Sequence, residues 1–338
     1  MKNDKKNYSR RDFITTSAKG AAVISAAGII NPYSLYAGGK ADQMPKRILG
    51  KTGMSVSILG FGGGSQFLKN EDGVWEKQLE KALENGVNLF DTASEYTIGN
   101  YFKSGEVKKS LGSSEERFGE ILPPYRSKIY ISTKLEEREP GLAKKSVEGS
   151  LKRMKTDYID ILLLHGITDK DEVTYIEKGV YKEMVDLKNQ GMIKHIGFSS
   201  MDSAERSRDL IENLDFDIAM LAINPTQYRN FANVALPAAR EKGMGVIAIK
   251  VLRDLVGKDA TSKELFEYVW TENSVNSAMV GHVGMKVLNE NLKLAIDYGK
   301  TNQASIDRRE MELRLAFYAG PHALVWARPG YRDGGILV

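Results

Sequence analysis

Eight short apolar runs recur along the middle of the chain, and polar or glycine-containing turns bound each of them. The runs are Ile58–Phe61, Val87–Phe90, Ile129–Thr133, Ile159–Leu164, Lys194–Phe198, Ile218–Ala222, Gly245–Ile249 and Ser277–Val280. The segments between them repeat apolar residues at helical spacing, as in Ala143–Met154 and Val180–Asn189. Strands that alternate with helices predict a parallel sheet, and eight strands close a barrel, whereas a six-stranded doubly wound sheet would leave two over. The pattern therefore predicts an α/β chain folded as a (β/α)8 TIM barrel.

Shorter elements flank the predicted barrel. Arg47–Leu49 and Val56–Ile58, joined by a turn at Lys51–Gly53, predict an N-terminal β-hairpin. Asp307–Tyr318 is predicted to be a helix, and Pro321–Val338 contains several Gly and Pro residues and predicts an irregular tail. We therefore divide the chain into a targeting segment (1–37), a barrel (46–299) and a C-terminal extension (300–338).

Composition excludes several classes of function. The chain has 338 residues, a net charge of +4 and no cysteine. Without cysteine there are no disulfides, no thiolate metal sites and no cysteine nucleophile. Part of the small positive charge is concentrated in the first eleven residues, and no basic patch is interleaved with aromatic residues. We therefore expect no nucleic-acid partner.

The first 37 residues are typical of an export signal. Ser9–Ile14 contains a twin-arginine pair, Ala21–Ile30 is mildly apolar, and small residues at Ala37–Gly39 offer a cleavage point. The alternative, a basic disordered tail with an incidental arginine pair, does not account for the order of these features. The apolar stretch is too short and too rich in alanine for a membrane span. We predict export by the twin-arginine machinery, to the periplasm or beyond, and no stable membrane span in the mature chain.

Polar side chains follow three successive predicted strands. Asp91 ends the second strand and is followed by Tyr96, Lys134 ends the third, and His165 ends the fourth. In a parallel α/β barrel the carboxyl ends of the strands converge on one face, so these four side chains can meet there. Each alone has a structural explanation, such as a helix cap, a packed loop aromatic or a satisfied core histidine. Together they form a group suited to proton transfer.

The chemistry of such a group is the protonation of an oxygen. A phenol has a pKa of roughly 10 in water and is a poor acid near neutrality. An ammonium such as that of Lys134 would favour the phenolate of Tyr96, and Asp91 would hold the lysine charged and oriented. His165 can donate a hydrogen bond to a substrate oxygen. Protein side chains supply no hydride, so a reduction would require a nicotinamide.

These residues lie in motifs that resemble the aldo-keto reductase family. The motifs are Phe90–Ala93 with Tyr96, Ser132–Lys134, Leu164–Gly166 and Gly191–Ser200, and the similarity runs from about Arg47 to Ala295. The resemblance implies a TIM barrel that binds extended NADPH at its C-terminal face. It also implies that Tyr96 is the general acid, that Lys134 and Asp91 tune it, and that His165 orients the carbonyl.

The resemblance also implies the residues that contact the cofactor. They are Ser199, Ser200, Gly281, Glu290 and Asn291. Lys250, just beyond the seventh predicted strand, is placed to meet a phosphate, and the alternative is a solvated loop lysine. Ser200 replaces a family asparagine, Met220 a glutamine, and Ile249 the tyrosine that stacks on the nicotinamide. The basic residues that hold the 2′-phosphate of NADP are not evident, since Val287 falls near one such position. NADP is therefore what the resemblance implies, and these residues leave NAD possible.

Two regions depart from the family pattern. Residues 97–113 form an insertion at the mouth of the predicted site, and its Tyr101 is an alternative acid to Tyr96. The tail, in which some barrel relatives carry a cysteine-rich iron–sulfur segment, contains no cysteine here.

Three functions are consistent with the sequence. The first is an exported NAD(P)-dependent oxidoreductase that reduces an aldehyde or ketone to an alcohol, or runs the reverse, on a small-molecule carbonyl substrate. The alternative is a non-catalytic or regulatory nicotinamide-binding barrel, which the changes at positions 200, 220 and 249 would fit. The third, a metal-dependent barrel hydrolase or lyase, has little support, because the four histidines (165, 195, 282 and 322) show no ligand-like spacing and we expect no metal.

Overall fold

Parallel strands close into an eight-stranded barrel within the computed structural model, which describes residues 43–101, 111–301, 303–320, 324–328, 332–333 and 336–337. In chain order the strands of the barrel are β3 (Leu59–Gly62), β4 (Leu89–Asp91), β5 (Tyr130–Leu135), β6 (Ile159–Ile167), β7 (Ile193–Ser200), β8 (Ile218–Ala222), β9 (Gly245–Ile249) and β10 (Ser277–Val280). Each strand pairs with its neighbour in the sequence, and β10 pairs with β3 to close the ring. The predicted TIM barrel is confirmed.

Helices surround the barrel and follow the strands in turn. The main ones are Trp75–Glu84, Ser114–Ile121, Ala143–Met154, Val180–Asn189, Ala204–Asn213, Phe231–Glu241, Ser262–Trp270 and Gly284–Thr301. Shorter helices lie in the loops at Ser65–Leu68, Ile98–Tyr101 and Val173–Lys178. The sequence sets some of these boundaries: Ser113 with Glu116, and Thr261 with Glu264, form capping boxes that satisfy the first backbone N–H groups of their helices.

The alternation of side chains along each strand separates two layers of the core. Ile161 and Leu163 of β6 point into the barrel, together with Leu89 of β4, while Leu162 and Leu164 pack outward against the helices. Continuing the same alternation toward the carboxyl end of β6 places His165 on the inner face. It likewise places Asp91 above Leu89. The alternation along the strands thus places polar residues in the interior of the barrel, near the carboxyl ends of the strands.

The N-terminal hairpin closes the opposite end of the barrel. Strands β1 (Lys46–Ile48) and β2 (Ser55–Ser57) pair antiparallel, which confirms the predicted hairpin. Leu49, Met54 and Val56 pack against the inward-facing residues of the barrel. At Gly50 the backbone has φ of +50°, and a Cβ there would lie 2.2 Å from the backbone nitrogen of Gly245, the first residue of β9. Only glycine fits this contact, which fixes the hairpin under the barrel.

The C-terminal extension contains more structure than the predicted single helix and irregular tail. The α-helix Arg308–Leu315, with Asp307 as its N-cap, is shorter than predicted and continues as a 3₁₀ turn at Ala316–Ala319. Val325–Ala327 form another 3₁₀ turn, and Arg332–Asp333 pair with Ile336–Leu337.

Part of the chain lies outside the described residues. The predicted twin-arginine signal at 1–37, the middle of the insertion at 102–110 and His322 are among these residues. Within the described part, no helix is both long enough and apolar enough to span a bilayer.

Candidate active site

A cavity of about 640 Å³ opens at the carboxyl ends of the barrel strands. Its volume falls within the range of roughly 300–1,000 Å³ typical of small-molecule sites. The structure brings every site residue predicted from the sequence to the wall of this one cavity. They are Asp91, Tyr96, Lys134, His165, Ser199, Ser200, Lys250, Gly281, Glu290 and Asn291.

A buried ion pair lies at the base of the cavity. Lys134 Nζ donates to Asp91 Oδ2 at 2.6 Å and to the carbonyl oxygen of Thr92 at 2.8 Å. The other carboxylate oxygen of Asp91 accepts from Ser132 Oγ at 2.7 Å. Adjacent strands supply the two partners, since Asp91 ends β4 and pairs in register with Ser132 of β5. The charges of the pair are compensated inside the protein, and the ammonium group is held in one place.

Tyr96 lies directly over this ion pair. Its ring centroid is 4.6 Å from Lys134 Nζ, and its ring meets that of His165 edge-on at 5.7 Å. Backbone hydrogen bonds fix the loop on both sides, from the Tyr96 amide to Ala93 and from the Ser114 amide to the Tyr96 carbonyl. The phenol, the ammonium and the imidazole therefore form one contiguous group.

Tyr101, the alternative acid, packs beside Tyr96 with the two ring centroids 6.0 Å apart. The predicted insertion is closed at its base, because Thr97 and Ser113 form an antiparallel bridge and the Ile98 amide donates to Gly112. Tyr96 is among the residues that line the cavity, and Tyr101 is not. This difference favours Tyr96 as the acid.

The loop that follows β5 contacts both the backbone and the side chain of His165. Its carbonyl oxygen accepts from Arg138 Nη2 at 2.6 Å, and Arg138 Nε also binds Asp171 at 2.9 Å. On the side chain, Nδ1 lies 3.8 Å from Oε1 of Glu136. Glu136 did not emerge from the sequence motifs. Strand alternation offers a signal for it, because the residue two positions after an inward-facing lysine also faces inward.

Ser199 and Ser200, at the carboxyl end of β7, form hydrogen bonds to β6. Ser199 Oγ accepts from the amide of Gly166 at 2.9 Å, and Ser200 Oγ donates to the carbonyl of Ile167 at 2.9 Å. Met220 and Ile249 line the same wall and make it apolar. This part of the cavity combines two fixed hydroxyl groups with an aliphatic surface.

The opposite end of the cavity lies beside the helix Gly284–Thr301. Asn291 Nδ2 lies 3.2 Å from His282 Nδ1, and because an amide nitrogen only donates, the imidazole accepts there. His282 is fully buried, which lowers its pKa from 6.5 to about 3 and keeps it neutral.

Lys250 has a positive φ of 58°, a loop conformation that the sequence did not reveal. Lys286 is largely exposed and reaches Glu290 only at 4.0 Å.

Other residues of the wall were not predicted from the sequence. Gln66, Lys69, Met201, Arg253, Asp254 and Val325 line the cavity. They come from loops and from the C-terminal extension, so strand periodicity gives no signal for them. Among the described residues, no group of three or more His, Asp or Glu side chains is arranged to hold a metal ion.

Comparisons with known proteins agree with this architecture. A sequence model of the Aldo/keto reductase family matches residues 59–306. The uncharacterized oxidoreductase YqkF of Bacillus subtilis is 32% identical over 170 residues, which cover 47% of this chain and 49% of that protein. The chain therefore aligns with about half the length of this curated relative.

Solved structures show the same fold. The putative aldo-keto reductase PA4992 of Pseudomonas aeruginosa is 28% identical, with a TM-score of 0.62 over 74% of this chain and 94% of that chain. The holo form of aldo-keto reductase AKR11C1 from Bacillus halodurans has a TM-score of 0.62 over 85% of this chain and all of its own, at 20% identity. The last likeness concerns the fold alone.

Proposed function

The chain belongs to the aldo/keto reductase family, and from that premise we propose that it is an NAD(P)H-dependent oxidoreductase with Tyr96 as its general acid. It would reduce an aldehyde or ketone to an alcohol, or run the reverse. The observation that carries the proposal is the packing of Tyr96 against both Lys134 Nζ and the His165 ring at the wall of a cavity.

The cavity suits a dinucleotide in its chemistry. It runs from Tyr96 to Asn291, and the cations Lys250 and Arg253 in its wall suit a pyrophosphate. Ser199 and the apolar surface of Met220 and Ile249 suit a nicotinamide ring with its carboxamide. When bound, the nicotinamide supplies the hydride that no side chain can provide.

The side chains of the site supply the proton that the carbonyl oxygen accepts. The Tyr96 hydroxyl donates its proton to the carbonyl oxygen as the carbon becomes tetrahedral, which leaves a phenolate. The ammonium of Lys134 stabilises that phenolate, and Asp91 holds the ammonium beneath the ring. His165 donates a hydrogen bond to the same oxygen and orients the substrate. Tyr96 and His165 act on the same carbonyl oxygen, while Lys134 and Asp91 act through Tyr96, so the group fits the protonation of a carbonyl oxygen during reduction.

A nicotinamide-binding barrel without catalysis is a second candidate. Its support is the wall at Met220 and Ile249, where aliphatic side chains can contact a ring but cannot stack on it as an aromatic would. Such a protein would bind the dinucleotide and show no carbonyl-dependent oxidation of it.

One substitution separates the two candidates. Tyr96→Phe removes only the hydroxyl, and we expect it to lower kcat for carbonyl-dependent NAD(P)H oxidation by ~100-fold or more. Cofactor affinity, measured by calorimetry, should change little. Tyr101→Phe is the matched control and should keep most of the activity. Full turnover in Tyr96→Phe would remove Tyr96 from the acid role, and a wild-type protein that binds the dinucleotide without turnover would support the second candidate.

We also propose export by the twin-arginine route, with the cofactor loaded before transport. The support is the order of arginine pair, apolar stretch and small residues in positions 9–39. Replacing Arg10 and Arg11 by lysine should retain the protein in the cytoplasm of a host with this machinery. Unchanged distribution on cell fractionation would reject the route. A sugar or sugar-derived ketone is the substrate class we would test first in an exported enzyme.

A further inference from the structure

Glu136 places a carboxyl group behind the imidazole of the candidate site. It follows β5 directly, two residues after Lys134, and its Oε1 atom lies 3.8 Å from His165 Nδ1. Oε1 is shielded from solvent and has no hydrogen-bond partner among the described residues. The separation exceeds a hydrogen bond, yet a small torsional change in the glutamate side chain would close it, as often happens when a ligand binds.

The charges around Glu136 oppose its ionisation. Its pKa is raised from 4.5 to about 8, mainly by burial and also by the carboxylates of Glu95 and Glu137, while Arg138 acts in the other direction. Arg138 compensates only in part, because its guanidinium binds Asp171, the Glu136 carbonyl and the His165 carbonyl. Near neutral pH the carboxyl group therefore retains a proton that it can donate.

We propose that Glu136 is a positioning residue that determines which ring nitrogen of His165 carries the proton. This inference rests on the proposed function. A carboxylic acid at Glu136 donates to Nδ1, so the proton of a neutral imidazole resides on Nε2. His165 then has an N–H with which to bind the carbonyl oxygen of the substrate.

When Glu136 is ionised, His165 cannot donate a hydrogen bond to the substrate oxygen. An ionised Glu136 accepts a hydrogen bond from Nδ1–H, and Nε2 of the neutral ring then has only a lone pair, which repels a carbonyl oxygen. Losing the proton from the carboxyl–imidazole pair thus removes the substrate hydrogen bond. The two groups titrate together, so the pH at which this occurs belongs to the pair.

The test combines a pH profile with ¹⁵N NMR of the histidine rings in the full-length protein. The His165 signals are assigned by their loss in His165→Gln. At pH 7 the wild type should show Nε2 protonated and Nδ1 unprotonated, and the proton should move to Nδ1 at alkaline pH, when the pair loses its proton. Glu136→Gln does not titrate, so the tautomer should no longer change with pH and the alkaline decline of kcat should be removed. Glu136→Leu should give a mixture of tautomers and about twofold lower kcat at pH 7, in proportion to the fraction of the ring that lacks Nε2–H.

Glu137→Gln is the matched control, since it removes a carboxylate from the adjacent position that is not within contact of the imidazole. It should leave the His165 tautomer at pH 7 unchanged. An unaltered tautomer in Glu136→Leu, or an equal change in Glu137→Gln, would overturn the proposal. If NMR shows the Glu136-dependent tautomer while no carbonyl is reduced, the positioning role stands and the proposed reductase function fails.

Discussion

Lys134 Nζ and Asp91 Oδ2 lie 2.6 Å apart in the interior of the barrel, with both side chains almost completely buried. Breaking such a pair on one side leaves an uncompensated charge that costs roughly 3–5 kcal/mol. Because Lys134 also lies under Tyr96, the ion pair links the stability of the barrel to the proposed acid of the candidate site.

This link predicts a separation of stability from activity. Asp91→Asn should lower the free energy of unfolding by roughly 3 kcal/mol or more and should also reduce kcat. The double variant Asp91→Asn, Lys134→Met removes both charges and should recover much of the stability, but not the activity. Urea unfolding and steady-state kinetics measure the two quantities. Recovery of activity in the double variant would show that the ammonium has no part in catalysis.

The carboxyl of Glu136 predicts a pH-dependent gain in stability on substitution. Its pKa is raised to about 8 in the folded protein, so the folded state binds more protons than the unfolded chain between about pH 4.5 and 8. Wild-type stability therefore decreases as pH rises through this window. Glu136→Gln has no such loss and should show a higher midpoint of thermal unfolding at pH 9, but little difference at pH 4.5. Glu241→Gln, at an exposed position, should show no comparable dependence.

The wall beside the helix Gly284–Thr301 predicts weak discrimination between the two dinucleotides. Val287 lines the cavity there, and Lys286 is 88% exposed and directed to Glu290. We expect Val287→Arg to improve NADPH binding relative to NADH by about tenfold, because a guanidinium can bind the 2′-phosphate. The gain should shrink as salt increases. Val287→Leu is the control, and an equal effect of both substitutions would show that the adenosine end lies elsewhere.

The C-terminal extension predicts a role in ligand retention. Trp326 is buried against Tyr228 with ring centroids 4.9 Å apart, and its neighbour Val325 lines the cavity and donates from its amide to Asp254. Trp326→Ala should release this contact and weaken cofactor binding in calorimetry by about tenfold or more. Phe317→Ala removes an aromatic that is 83% exposed in the same extension and should have no effect. Equal affinity in all three proteins would exclude this role.

Periodicity predicted the positions of the charged core of the site and little of its surroundings. Asp91 and His165 follow apolar residues whose alternation fixes which face is inward, so their convergence follows from the barrel alone. Strand ends were less certain: β6 continues to Ile167, past the predicted end at Leu164. The alternation that places Lys134 on the inner face also places Glu136 there. Only the structure of the loop shows that Glu136 lies close to the imidazole of His165.

The loops could not be predicted in the same way. Lys250 adopts a positive φ, and Trp326 inserts from a segment distant in sequence. Neither follows from local propensity, because tertiary packing determines both conformations. The hydroxyl groups of Ser199 and Ser200 matched a motif, yet their hydrogen bonds to β6 became evident only from the register of the two strands.

The hairpin beneath the barrel has a consequence for the order of events during turnover. With Leu49, Met54 and Val56 sealing the amino-terminal end, molecules that reach the interior must pass the rim formed by the loops. Among the described residues the cavity opens at that rim, so a dinucleotide and a carbonyl compound would enter from the same side. The compound bound deeper must then arrive first and depart last, so product-inhibition patterns should report a compulsory sequence of binding.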